Sequence, residues 1–194
     1  MILGLFYFVN SSKQFTMAIA KPFNLNKWIE ENRHLLKPPV GNKNLYINSE
    51  DYIVMVVAGP NARKDYHYNE TEELFYQLEG NITVYVQDNG KKKAMTLSAG
   101  DMYLHPAKTP HSPSRSEGSI GLVIELKRAG TNAKDGLLWF CDNCNHKLYE
   151  VYFPLTDIEK DFLQHFEHFY SSEHLRTCSK CGTVMETDPR FTAK

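Results

Sequence analysis

Two stretches of this chain carry residue types that could do metal chemistry. Residues 59–80 read GPNARKDYHYNETEELFYQLEG and place His67 six residues before Glu73. Residues 100–115 read GDMYLHPAKTPHSPSR and bring His111 at a Pro-rich turn after a short strand. Two imidazoles and one carboxylate, carried on strands that a hairpin can bring together, are the ligand set of the facial triad of non-haem iron(II) sites. Three protein ligands on one face leave the opposite face open to substrate and oxygen. Strand alternation places Glu73, Phe75 and Gln77 on one face, so Glu73 can point inward beside Phe75.

Four cysteines form a second set. They come as two C-x-x-C pairs, Cys141 with Cys144 and Cys178 with Cys181. The chain shows no convincing secretion signal, which favours metal over disulfides. Asn145 and Gly182 follow the two pairs, and both tolerate the positive φ that a metal knuckle needs. Four thiolates in tetrahedral geometry suit zinc or a single iron. No thioredoxin-like βαβ pattern surrounds either pair, which argues against a redox C-x-x-C.

Other polar residues rank below these. Arg63, Arg115 and Glu125 lie among residues that otherwise read as core, where an unpaired charge is costly. A planar guanidinium can hold a carboxylate in bidentate geometry, the competing reading being a surface salt bridge. His105 precedes His111 on a strand and could reach the site. His34, His146, His165, His168 and His174 lack a partner pattern and read as solvated or structural. Asp142 and Lys91–Lys93 read as solvated.

The elements that must position these groups are short. A helix is expected over residues 24–36, capped by Asn24 and ended by Pro38-Pro39. Strands are expected at 43–48, 51–58, 73–78, 81–88, 92–97, 101–105 and 119–127, with Asn89-Gly90 as a hairpin turn. Such evenly spaced short strands suggest a double-sheet jelly-roll barrel. Residues 128–135, RAGTNAKD, read as a linker. Beyond it the first cysteine knuckle should sit between two strands. Thr156 and Glu159 should form a capping box, and Ile158, Phe162, Phe166 and Phe169 should line one helix face.

At 194 residues with 42% hydrophobic content, one domain plus a small appendage is expected. A net charge of −1 gives no basic stripe for nucleic acid. Residues 1–9, MILGLFYFV, are too few to span a bilayer. We read residues 1–16 as a disordered or mis-started extension, with Met17 as the start and a membrane anchor as the minor alternative.

The first stretch resembles the first cupin motif, with Gly59, His67, Glu73 and Gly80 in its places and Asn69 replacing the second histidine of H-x-H. The second stretch resembles the second cupin motif through Gly100, Pro106 and His111. Lys108 stands in its glycine place and Arg115 in its asparagine place. From about residue 22 to the last cysteine pair, the chain resembles the bacterial type of the 3-hydroxyanthranilate 3,4-dioxygenase family. The segments LLKPPVGN, GPNARKDYH, EELFYQLEGN, HSPSR and LVIE carry the likeness, followed by the cysteine pairs.

That resemblance implies a mostly β fold, a cupin double-stranded β-helix over residues 17–130, with a rubredoxin-like unit over 131–194. It implies catalytic Fe(II) on His67, Glu73 and His111, and a second iron, or zinc, on the four cysteines. Arg63 would sit beside oxygen, Arg115 would pair with the substrate carboxylate, and Glu125 would contact the substrate hydroxyl or amine. Asn42, Phe75 and Pro113 would line the pocket. The implied reaction opens the ring of 3-hydroxyanthranilate with O2, on the route from tryptophan through quinolinate to NAD. We expect a cytoplasmic homodimer that engages neither nucleic acid nor membrane. The four-cysteine metal is expected to be structural, because ring cleavage that keeps both oxygen atoms needs no external electrons. The alternatives are another cupin enzyme, such as a thiol dioxygenase or sugar isomerase, and a non-enzymatic binding module with a zinc-ribbon tail.

Overall fold

Side-chain alternation builds two antiparallel sheets. The structure, a computed structural model, describes residues 21–37, 41–61, 63–156 and 158–192, and only the backbone of residues 158–160. The expectations for residues 1–16, for Pro38-Pro39 and for the side chains of Ile158 and Glu159 lie outside the described residues. A five-stranded sheet runs in the order β1 (Asn42–Asn44), β2 (Tyr52–Ala58), β9 (Ile120–Leu126), β4 (Glu73–Glu79) and β7 (Met102–His105). A six-stranded sheet runs β11 (Lys147–Phe153), β10 (Asp135–Phe140), β3 (Tyr66–Tyr68), β8 (His111–Arg115), β5 (Ile82–Asp88) and β6 (Lys91–Leu97). In β4, Glu73, Phe75 and Gln77 are all buried, as alternation requires. Asn89 and Gly90 both take positive φ and close the β5–β6 hairpin.

The inner faces of the two sheets share one core. Met55, Val57, Phe75 and Val123 come from the first sheet, and Ile82, Val84, Val86 and Leu97 from the second. Each such side chain contributes roughly 1.5–3 kcal/mol on burial. A second core lies over β10 and β11. There α2 (Ile158–Ser171) packs Phe162, Phe166 and Phe169 against Leu137, Trp139 and Phe153. Trp139 stacks on Phe169 at 4.3 Å. The apolar helix face therefore packs on this chain's own strands. A short helix, α3 (Glu173–Arg176), leads into the second cysteine pair.

Of the described residues, 21–32 belong to one compact unit and those from 33 onward to a second. In the first, α1 (Leu25–Asn32) is capped by Asn24, whose Oδ1 accepts from Lys27 N at 2.9 Å. The helix stops at Asn32, and residues 33–35 form a 3-10 turn.

Three local expectations need correction. The segment 128–135 is a connection only in its middle: residues 129–134 join β9 to β10, but Arg128 and Asp135 at its two ends are buried, and Asp135 opens β10. Polar composition misleads there because Arg128 and Asp135 pair with each other, and Asp135 also meets His67, sixty-eight positions away. The Pro-rich turn forms at residues 107–108, but residues 111–115, where no strand is expected, form β8, with Pro113 accommodated opposite Val84. The strand expected at 43–48 is only the three residues of β1. Asp161 Oδ2 accepts from Thr156 N at 2.7 Å and from Oγ1 at 2.9 Å.

Candidate metal centres and active site

The two histidines of the first set are direct cross-strand partners. His67 on β3 stands opposite His111 on β8. Glu73 opens β4 in the facing sheet and directs its carboxylate between them. His67 Nδ1 lies 3.4 Å from Glu73 Oε1, and His111 Nε2 lies 3.1 Å from Oε2. All three are buried, and their donor atoms lie within 4.8 Å of one another. The second group of the described residues that could hold a metal is Cys141, Cys144, Cys178 and Cys181.

The donors of the first site suit a metal cation. Among the described residues, Glu73 forms ion pairs with no lysine or arginine. Its oxygens face the two imidazoles and accept from Asn69 Nδ2 at 2.5 Å. Asn69 stands in the place of the missing H-x-H histidine and serves as a donor to the acid. Burial opposes the charge on Glu73, but the two imidazoles outweigh it and hold the carboxyl well below its usual range. At His67 burial favours the neutral ring, yet the hydrogen bond to Asp135 and the Glu73 charge prevail and push it up to about 9.

This has a consequence for metal loading. A cation can bind Nδ1 of His67 only after the extra proton leaves. In the metal-free protein that proton is held below pH about 9. Metal affinity should therefore climb with pH until about 9 and level off above. Anaerobic Fe(II) titrations against a chelator, run across that interval, check the expectation; a flat profile would contradict it.

The cysteine site satisfies the tetrahedral fit. The sulfur pairs Cys141–Cys181 and Cys144–Cys178 are each 3.6 Å apart. Sulfurs bound at about 2.3 Å to a tetrahedral ion would sit roughly 3.8 Å apart. All four cysteines are free of disulfides. Asn145 has φ 56° and Gly182 φ 75°, so both knuckles turn where expected. Each turn is closed by a hydrogen bond, Asn145 N to Cys141 O and Gly182 N to Cys178 O, both 2.9 Å. Asn145 also exchanges two amide hydrogen bonds of 2.9 Å with Gln87, tying the first knuckle to β5.

A cavity of about 780 Å³ opens over the His67–Glu73–His111 face. His111, Pro113 and Arg115 alternate along β8 and all line it. Glu125 on β9 pairs directly opposite Glu73, and Phe75 follows two residues after Glu73. Arg63 precedes β3, while Asn42 lies on β1; both also line the cavity. The structure thus brings all nine non-cysteine candidates to one wall-and-floor arrangement. Arg115 is 4% exposed, and its Nε and Nη1 find no partner. Burial alone pushes its guanidinium down to about 10. Arg63 is held differently: its Nε meets Asp65 Oδ1 at 3.3 Å, and its guanidinium lies 5.4 Å from the Phe166 ring centre. Burial, with the Glu73 charge, raises Glu125, and Arg128 opposes that rise.

His105 is not among the metal-capable residues. Its Nε2 lies 2.8 Å from Thr109 O and its Nδ1 3.1 Å from the Tyr103 hydroxyl, so both nitrogens are occupied. Burial pushes it down to about 4. It backs His111, with ring centres 4.3 Å apart. The other five histidines join neither cluster. Asp142 pairs with Lys64 at 2.8 Å on the surface.

Several site residues escaped the sequence analysis. Phe162, Leu163 and Phe166 from α2, with Arg190 and Phe191 beyond the cysteines, complete the cavity wall. The helical spacing of Phe162 and Phe166 signalled burial, but nothing local signalled that they, or Leu163, Arg190 and Phe191, would wall a cavity. Asp135 and Arg128 were also missed, because their partners are assembled only by the fold.

Barrel, buried triad and cysteine knuckles together define a metal-dependent cupin with a rubredoxin-like appendage. The model of the 3-hydroxyanthranilic acid dioxygenase family matches residues 17–170, and the chain belongs to that family. A Xanthomonas campestris pv. campestris (strain 8004) protein named 3-hydroxyanthranilate 3,4-dioxygenase is 53% identical over 175 residues, covering 90% of this chain and 98% of that relative. A protein of the same name from Xanthomonas euvesicatoria pv. vesicatoria (strain 85-10) is 55% identical over 170 residues, covering 88% and 95%. One from Bacillus thuringiensis (strain Al Hakam) is 44% identical over 164 residues, covering 84% and 90%. Among the described residues no helix is long and apolar enough to cross a membrane.

Proposed function

We propose that the chain opens the aromatic ring of 3-hydroxyanthranilate with O2. The product is 2-amino-3-carboxymuconate semialdehyde, which closes to quinolinate and feeds NAD synthesis from tryptophan. The observation that carries this reading is Arg115. Its guanidinium is buried with no anionic partner among the described residues and lines the same cavity as the triad. A buried guanidinium with free donors is repaired by a ligand carboxylate.

His67, Glu73 and His111 would hold Fe(II). The iron, when bound, supplies the anchoring of the ortho hydroxyl and amino groups and the electron exchange that oxygen activation needs. The protein then positions. Arg115 takes the carboxylate and sets the ring's register. Glu125, raised by burial, faces the hydroxyl or amine and can hold its proton. Phe75 and Pro113 flank the ring, and Asn42 stands at the mouth. Arg63, kept in place by Asp65 and Phe166, offers positive charge beside the oxygen position. Apolar walls from α2 keep water from the reacting atoms. Substrate-dependent oxygen uptake, measured with iron content, tests the function. Iron-loaded protein that consumes no oxygen with 3-hydroxyanthranilate would refute it.

We assign the four-cysteine metal, iron or zinc, a structural role, and residues 131–194 to the unit it organises. A segment this short needs such a staple, and each knuckle is closed by a backbone hydrogen bond. Cys178→Ser should lose one metal per chain and lower the melting temperature while the folded fraction retains its turnover per catalytic iron. Recovery of an oxidised catalytic iron under mild reductant in wild type alone, with stability matched, would speak for an electron-transfer role instead.

We also place the protein in the cytoplasm as a homodimer. Four free cysteines suit a reducing compartment. The outer face of the five-stranded sheet supports self-association: Leu74 pairs with Leu104 and Ile124, Tyr76 with Met102, and Met102 and Leu104 are exposed. Light scattering should report twice 22.4 kDa; a monomer mass at micromolar concentration would exclude it.

A further inference from the structure

Behind the triad lies a chain of buried charges that the proposed reaction does not itself require. His67 uses Nδ1 toward Glu73 and Nε2 toward Asp135 Oδ1, at 2.7 Å. Asp135 is wholly buried and sixty-eight residues away in sequence. Arg128, 3% exposed, grips the same carboxylate twice, Nε to Oδ2 and Nη2 to Oδ1, each at 2.8 Å. Its Nη1 donates to Glu125 Oε2 and to Leu126 O, also at 2.8 Å. Asn69 Nδ2 closes the circuit between Glu73 and Glu125, at 2.5 and 3.5 Å.

The chemistry of this arrangement is directional. A neutral imidazole has one N–H and one lone pair. A carboxylate at Nε2 accepts the N–H there and leaves the Nδ1 lone pair for a cation. A carboxylate alone, buried at that depth, would be costly; the bidentate guanidinium neutralises it and fixes its plane. The same guanidinium has one arm left, and that arm holds the acid facing the substrate. Glu73 and Glu125 are directly opposed like charges on neighbouring strands, an arrangement that repels unless cations intervene. Arg128 supplies one such cation from behind.

We propose that Asp135 and Arg128 are positioning residues that lock the metal ligand His67 and the substrate-facing Glu125 into one rigid frame. Asp135 selects the His67 tautomer and aims the ring. Arg128 fixes Asp135 and Glu125 at a set separation, so metal site and substrate site share one support. This rests on the assignment of His67 as a ligand.

The test is the anaerobic Fe(II) dissociation constant of the catalytic site in the full chain with its cysteine site loaded. Asp135→Asn should weaken Fe(II) by about 10–100-fold, and Asp135→Glu, which restores a carboxylate, should recover part of that loss. Arg128→Gln should raise the KM for 3-hydroxyanthranilate by a larger factor than it raises the Fe(II) constant. A role in folding alone would lower the melting temperature and leave the Fe(II) constant and KM of the folded protein unmoved; that result overturns the proposal. A second measurement needs no variant. In Co(II)-loaded wild type, the ring N–H of His67 should appear as a hyperfine-shifted proton that exchanges slowly with solvent. Exchange as fast as that of an open imidazole overturns the Asp135 role. His67→Ala separates the two layers. If it binds Fe(II) as tightly as wild type, the ligand assignment falls and the proposal with it. If it loses Fe(II) while Asp135→Asn keeps the wild-type constant, the positioning proposal falls alone.

Discussion

His111→Ala, and equally His67→Ala, will leave the catalytic site without iron and abolish ring cleavage. Two protein donors cannot hold Fe(II) against water as three do. The loss goes beyond a missing bond. Glu73 sits 3.1 Å from His111 Nε2 and 3.4 Å from His67 Nδ1, so removing either ring strands part of a buried carboxylate. The four-cysteine site has its own donors and its own core of Trp139, Phe166, Phe169 and Met185, and it should stay loaded. Metal analysis of either variant should thus fall by one equivalent per chain relative to wild-type protein carrying both metals, with oxygen uptake at background. Normal ring cleavage by either variant would show that the metal is held elsewhere.

Arg115→Ala will lower kcat/KM for 3-hydroxyanthranilate by about 2–5 kcal/mol equivalent, the range for truncating one partner of a buried charge pair. At 1.4 kcal/mol per decade that is roughly 30- to several-thousand-fold. The effect should appear chiefly in KM, because the guanidinium grips a carboxylate that does not react. The variant should also distinguish 3-hydroxyanthranilate from 2-aminophenol, which lacks the carboxylate, far less than wild type does. The structural reason is that Arg115 Nε and Nη1 have no protein partner to satisfy them. Equal proportional losses for the two compounds would mean that Arg115 serves the cavity's shape and not the carboxylate.

The parts of this protein that short spacing encodes were legible directly. C-x-x-C followed by Asn145 or Gly182 encodes a knuckle, since one turn brings both sulfurs to the same side and needs a residue that accepts positive φ. Glu73-x-Phe75-x-Gln77 encodes an inward face, since the strand period is two. Asn89-Gly90 encodes a hairpin for the same kind of local reason. Strands β3 and β8, by contrast, have three and five residues. So few positions establish no period, and the prolines around His111 point toward a turn. Their strand character comes from pairing with each other and with β5 and β10.

By itself, then, the sequence determined which side chains are available as ligands and which short turns present them. Those choices rest on backbone sterics and donor chemistry within a few residues. Only the tertiary structure decided how the ligands are backed. Asp135 meets His67 across sixty-eight positions, and the two ends of a segment that reads as a polar linker form the most deeply buried charge pair behind the site. It likewise decided that α2, whose aromatic stripe signals burial, forms one wall of the catalytic cavity. A charge is tolerable in the interior only where opposite charge and hydrogen-bond donors converge on it. That convergence is a property of packed strands from distant parts of the chain, and no local pattern records it.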